Sequence, residues 1–385
     1  MLFTKMSIEA SDNDNSTMPR RKCGSFRLVA IVVAAGAMGT GLWGGLMRIG
    51  VALPADATSL AELHGALMIC GFLGTLISLE RAVALRRGWA YAAPTLSSIG
   101  ALALWANLPG VGAAAFVLAS GAFLIASVNV ALRQCALFTL ILMVGAVCWV
   151  VGNVQWMQGY LMSVVVGWWL SFLILTIAAE RLELSRIARP SLRSQVVFAI
   201  SVSLVLIGAI GGELERRWGP FMAAGFLACA AWLLHHDIAR RTVRLYGVPR
   251  FSAVAILAGH TWLGIAGILL ILMWLGQTAF SYDAVVHAIT IGFVLSMVFG
   301  HAPIILPAVV GINLRYTNFA YLPLSLLHAS VALRIGSDWL EQVDLRALSG
   351  VVTVLALIVY AATLAYASRL AARPRRPRTG MASGV

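Results

Sequence analysis

Residues 60–87 read LAELHGALMICGFLGTLISLERAVALRR. From Gly65 to Leu79 this stretch holds no charged side chain, and it closes on Glu80, Arg81, Arg86 and Arg87. A helix needs about 20 apolar residues to cross a hydrocarbon core of about 30 Å, and basic residues at its end favour the cytoplasmic side. Similar runs recur from Phe26 almost to the C-terminus. None alternates as a barrel strand does, so helices are the structure that satisfies the backbone in lipid.

Composition agrees with that reading. Of 385 residues 60% are hydrophobic and 11% charged, with a mean hydropathy of +0.89, against about 25% charged residues in a soluble domain. The pattern predicts an all-α integral membrane protein with twelve transmembrane helices, the first at 27–48, the third at 90–108, the eighth at 218–236 and the last at 347–369. The expected organisation is a cytoplasmic N-terminal tail over 1–25, a twelve-helix membrane domain over 26–370 and a basic cytoplasmic C-terminal tail over 371–385. With twelve spans, only Arg48, Arg216, Arg217, Arg334 and Arg346 of the 28 Lys and Arg fall outside, and the other 23 face the cytoplasm. This places the chain in a bacterial inner membrane with both termini in the cytoplasm. The first apolar run is too long for a signal-peptide core and has no small-residue cleavage site, so it reads as an uncleaved span.

The net charge of +13 resides in membrane-flanking clusters such as Arg20, Arg21, Lys22 and Arg373, Arg375, Arg376, Arg378. Their partner is lipid, not nucleic acid. The five cysteines show no CxxC spacing, and no P-loop, Gly-rich nucleotide fingerprint or HExxH motif is present.

An internal repeat is visible. Gly71-Phe72-Leu73 precedes Glu80, Ser171-Phe172-Leu173 precedes Glu180, and Gly292-Phe293-Val294 precedes His301, each at the same spacing. The three lie four spans apart, which suggests three pseudo-symmetric four-helix units. On that reading Glu80, Glu180 and His301 ring one axis near the cytoplasmic ends, as a structural cap or as a proton or ion route.

Intramembrane histidines are costly and are candidates for function. His64 in the second span and His287 in the tenth both lie about four residues inside the outer end. Two neutral imidazoles at one depth can be axial ligands of a haem iron, and Gly65, Ala66, Ala288 and Gly292 leave room beside them. The alternative is that each imidazole hydrogen-bonds a neighbouring helix. His301 lies 14 residues beyond His287, about 21 Å further along a helix, so it cannot share a metal with it. It is a candidate to join Glu80 or Glu180 or to bind a second metal. His260 and His328, nearer mid-membrane, are candidates for the same cavity, His260 as a metal ligand and His328 on a proton or ion route, or for interhelical hydrogen bonds. His235 and His236 read as a solvated helix end, and Trp168, Trp169, Gly41 and Gly45 as packing residues.

At His287-Ala288-Ile289-Thr290-Ile291-Gly292 with Gly300-His301, the sequence resembles the NnrS family of bacterial membrane haem proteins associated with nitric oxide stress and denitrification. Gly259-His260-Thr261-Trp262-Leu263, Phe26-Arg27 and His64 followed by Gly71-Phe72-Leu73 are similar to other parts of that family. The early motif departs from it, with His64 alone where two histidines are expected and with an atypical Glu80-Arg81 ending. A more distant likeness is to the catalytic subunit of haem-copper oxidases, but the sixth and seventh spans supply no histidine for copper. The resemblance implies a b-type haem, a redox partner and a role in nitric oxide response or respiratory metabolism by electron transfer, without an oxidase-type binuclear centre. The competing expectation is a secondary transporter that uses its intramembrane Glu and His residues.

Overall fold

A computed structural model describes residues 20–53, 58–186, 190–212, 219–277 and 282–372. Residues 1–19 and 373–385, which hold most of the two expected tails, lie outside the described residues. Among the described residues all regular structure is helical. We number the principal helices α1 (Arg20–Arg48), α2 (Thr58–Ala66, then a π-helix over Leu67–Gly74, then Thr75–Leu85), α3 (Ala92–Trp105) and α4 (Pro109–Arg133). There follow α5 (Leu137–Met157), α6 (Met162–Ser185), α7 (Leu192–Ile210) and α8 (Gly219–His236). The last four are α9 (Val248–Trp274), α10 (Tyr282–His287, a π-helix over Ala288–Leu295, then Ser296–Val310), α11 (Tyr321–Trp339) and α12 (Val343–Ala372).

Ten of these are long and apolar enough to cross a membrane, and α3 and α8 are not among them. The chain is thus a multi-pass helical membrane protein, with ten such helices among the described residues where twelve were expected. The third is cut to 14 residues, from Ala92 after a 3-10 turn over Gly88–Tyr91 to Trp105, where the chain turns. The eighth has 18 residues and closes on the polar His235 and His236.

The core is organised around α6, 78% of whose apolar window is buried. Trp149 of α5 stacks on Phe172 of α6 at 4.7 Å between ring centroids and 6° between planes. Phe123 of α4 meets both rings edge-on, so the three helices interlock through aromatic faces and edges. Elsewhere small residues let backbones approach, as is usual between helices in lipid. A Cβ on Gly44 of α1 would collide with the carbonyl of Leu60 on α2.

The two π-helical segments each span eight residues, and Gly71 and Gly292 occupy the fifth place in each. Two members of the sequence repeat therefore share a backbone irregularity. The third does not, since Ser171-Phe172-Leu173 lies in an uninterrupted α-helix. Single π turns inside α-helices occur most often at functional sites. Here each closely follows a histidine: His64 precedes the first by three residues and His287 precedes the second directly.

The α1–α2 contact yields a test with an internal control. Gly44→Ala should lower unfolding stability in detergent by about 1–3 kcal/mol through overpacking. Gly39→Ala, where a Cβ has no heavy atom within 4 Å, should be neutral or stabilising by up to about 1 kcal/mol. Thermal unfolding followed by circular dichroism compares the two.

Candidate functional site

The start of α2 and the start of α10 converge on a cavity of about 290 Å³. Its wall includes Gly45 and Arg48 of α1, His64 of α2, Trp169 of α6, Asp283 and His287 of α10, Arg334 of α11 and Arg346 of α12. The rings of His64 and His287 face this space with centroids 6.3 Å apart and planes 16° from parallel. Gly45 permits this approach, because a Cβ there would stand 2.8 Å from Cε1 of His64.

Each imidazole is anchored by its Nδ1. That of His64 donates to the Gly41 carbonyl across the α1–α2 contact at 2.6 Å. That of His287 donates to the Asp283 carbonyl one turn earlier at 2.8 Å and lies 3.2 Å from the Asp283 carboxylate. A carbonyl can only accept, so Nδ1 carries a proton in both rings, and in the neutral form of each ring Nε2 is the atom with the lone pair. Neither Nε2 has a partner among the described residues.

Asp283 binds more than His287. Its Oδ2 accepts from Nε of Arg334 at 2.9 Å and from Nη2 of Arg346 at 2.9 Å, tying α10 to α11 and α12. Nε of Arg346 lies 3.7 Å from Asp338, an ion pair too long to be a hydrogen bond. On the opposite wall Trp169 donates to Oδ1 of the buried Asn153 at 2.9 Å, and Asn153 also accepts from the Cys70 thiol and donates to the Phe116 carbonyl. Sequence reasoning passed over this network. It counted Arg334 and Arg346 as residues of outer connections and Trp169 as packing. The signal for Asp283 was its place one helical turn before His287 on the same face.

The other expected site residues lie elsewhere. Glu80, Glu180 and His301 line one second cavity at the far ends of α2, α6 and α10. There Nη2 of Arg181 donates to Nε2 of His301 at 2.7 Å, while Nδ1 of His301 donates to the Met297 carbonyl. Both nitrogens of His301 are thereby engaged. His260 is fully buried with Nε2 3.0 Å from Oδ2 of Asp237. His328 accepts from Nε1 of Trp262 at 2.9 Å. Neither His260 nor His328 belongs to the wall of the His64–His287 cavity. His236 stacks on Trp232 and reaches Ser194, whereas His235 is exposed beside Arg240. Among the described residues no group of three or more His, Cys, Asp or Glu is arranged to hold a metal ion.

A family model matches residues 27–369, nearly the whole membrane domain. The chain belongs to the family described as Domain of unknown function (DUF8744). No match was found among curated proteins. Family membership assigns no role to the two cavities, and their chemistry has to be read from the side chains.

The Asp283 network is testable as it stands. Asp283→Ala leaves two guanidinium groups without their shared acceptor, and it should cost about 1–3 kcal/mol of unfolding stability, below the range for a fully buried pair because Asp283 is partly exposed. Combined with Arg334→Ala it should be non-additive by about 1 kcal/mol or more in a double-mutant cycle. Additive losses would mean that the two side chains act independently.

Proposed function

We propose that this chain is a bacterial inner-membrane haem protein that carries electrons, with His64 and His287 as the two axial ligands of a b-type haem. The observation that carries the reading is the pair of parallel imidazoles, each anchored through Nδ1 and each with Nε2 free. Metal-bound histidines characteristically donate their other N–H to a carbonyl or carboxylate, which fixes the ring and raises its basicity. If both Nε2 atoms pointed along the line between the rings, a shared metal at about 2 Å from each nitrogen, with each nitrogen about 1.1 Å from its ring centroid, would set the centroids about 6.2 Å apart. The spacing of the two rings, 6.3 Å, fits that requirement.

The bound group would supply one-electron redox chemistry, and two protein ligands would leave iron without an open position, which favours electron transfer over catalysis. The residues of the chain have distinct parts. Gly41 and Asp283 orient the rings, Arg334 and Arg346 hold Asp283 in place, and Trp169 closes the wall against the core. Covalent attachment has no support, since CxxCH is absent from the sequence. The resemblance to NnrS proteins adds nitric oxide response or denitrification as the setting and implies a redox partner. A reading as a secondary transporter would draw on the second cavity instead.

We also read α3 and α8 as two further crossings, making twelve, with both termini in the cytoplasm and the His64–His287 cavity toward the outside. The distribution of Lys and Arg supports this orientation. The joint lining of one cavity by Glu80, Glu180 and His301 supports three related four-helix units. Reporter fusions after Arg87 and Arg250 should read cytoplasmic, and fusions near Asp56 and Asp338 external. An external signal after Arg250 would remove one crossing and reverse the sides of everything that follows.

The haem assignment is decided by the optical spectrum of protein purified in mild detergent from haem-sufficient cells. Dithionite reduction should give the sharp α and β bands of a low-spin b-type haem. His64→Ala or His287→Ala should abolish or convert that spectrum, while His235→Ala and His236→Ala leave it unchanged. Haem-free protein, or a spectrum untouched by both His64→Ala and His287→Ala, would overturn the proposal.

A further inference from the structure

The second cavity, about 390 Å³ at the opposite end of the bundle from His64 and His287, has a charge imbalance. Three carboxylates, Glu80 of α2 with Glu180 and Glu183 of α6, share it with two guanidinium groups, Arg81 and Arg181. His301, on the same wall, adds no charge: its Nε2 accepts the hydrogen bond from Arg181 and so bears no proton. One negative charge, three less two, is left uncompensated in a low-dielectric enclosure, where like charges are expensive.

The unmet hydrogen-bonding capacity points the same way. Glu80 and Glu180 act on each other electrostatically, yet neither has a hydrogen bond or ion pair with a described residue. Arg181, only 4% exposed, keeps its Nε–H without an acceptor. An orphaned buried donor and two acceptor-only carboxylates on one cavity call for a small polar occupant, since buried polar groups are almost always satisfied by protein or ordered water.

The other charged groups of the surrounding elements are not on the cavity wall. Arg27 of α1 is engaged by the Tyr91 hydroxyl and the Val309 carbonyl. Asp237, before α9, is bound to His260 of α9 and to the amide of Ala239. Arg186 lies over the Phe138 ring, and Arg86, Arg244 and Arg250 are exposed. A divalent ion would overcompensate a single charge. The cavity wall also includes Thr242 from the connection between α8 and α9, with Val248 and the exposed Pro249 from the first turn of α9, which gives it a route to the surface on that side.

We propose that this cavity is a cation site that takes up one exchangeable monovalent cation, a proton or Na⁺, between Glu80 and Glu180, from the end of the bundle that the basic loops assign to the cytoplasm. The carboxylates hold the ion, and His301 fixes Arg181 on the same wall. The site is independent of haem and would serve either an electron carrier or a transporter.

Infrared difference spectroscopy on the full-length protein in nanodiscs tests this in two arms. In sodium-free buffer, mild acidification should raise a protonated-carboxyl C=O band that is lost or at least halved in both Glu80→Gln and Glu180→Gln and kept in Glu62→Gln, an exposed control at the other end of α2. That result identifies the proton. At fixed mildly alkaline pH, exchange of choline for Na⁺ should instead shift the carboxylate bands in wild type and not in the two variants, which identifies sodium. Wild type without either response, or responses that persist undiminished in both variants, overturns the proposal. The wild-type arms require no variant to fold, and neither arm reads haem, so the outcome is separable from that of the optical experiment.

Discussion

Lipid offers neither donor nor acceptor, and every polar group that this chain carries into the bundle has to be answered by another part of the chain. The backbone answers itself in helices. Many hydroxyls do the same one turn away, as Ser78 on Gly74, Ser171 on Gly167 and Ser296 on Gly292. Larger polar groups cannot fold back, so they pair across helices: Asp283 with Arg334 and Arg346, Arg181 with His301, Asp237 with His260, and Asn153 with Trp169 and Cys70. These pairs join α10 to α11 and α12, and α5 to α6 and α2. They do so with a directionality that apolar contacts in lipid do not provide.

Against that background the unanswered groups stand out, and the guanidinium Nε atoms of Arg346 and Arg181 are two of them, one on the wall of each cavity. The same three helices furnish both. The second helix carries His64 to one and Glu80 to the other, the tenth carries His287 and His301, and the sixth carries Trp169 and Glu180. In α2 and α10 a π turn lies between the two functional groups and changes the angular relation of one half of the helix to the other. The π segments also bring small residues into contact: a Cβ on Gly292 would meet the Trp262 ring at 2.5 Å, and Trp262 in turn holds His328. The cores of both helices are thereby committed to packing, and the chemistry is left to their ends.

Much of this was legible in residue order. The helical membrane fold followed from the length of the apolar runs, because no other structure pairs its own backbone in lipid. The place of His64 and His287 near the starts of their helices followed from counting along two apolar runs at 1.5 Å per residue. The common place of Glu80, Glu180 and His301 followed from a repeat whose spacing is the same in three helices. Axial position is a linear quantity, and a sequence reports it directly.

Rotation about each helix axis and the choice of neighbouring helix are not linear quantities, and there the tertiary structure decided. It turned the His64 and His287 rings toward each other, set Arg334 and Arg346 on Asp283, and gave His301 to Arg181 and His260 to Asp237. It also shortened α3 at both ends and placed π segments around Gly71-Phe72 and Gly292-Phe293, where the sequence gives no sign of them. The sequence by itself determined that the chain is a bundle of apolar helices and how far along its helix each polar group lies. Which group faces which was settled only by the packing, because in a medium as apolar as the side chains the helices are oriented by shape, small-residue contacts and a few long-range polar pairs.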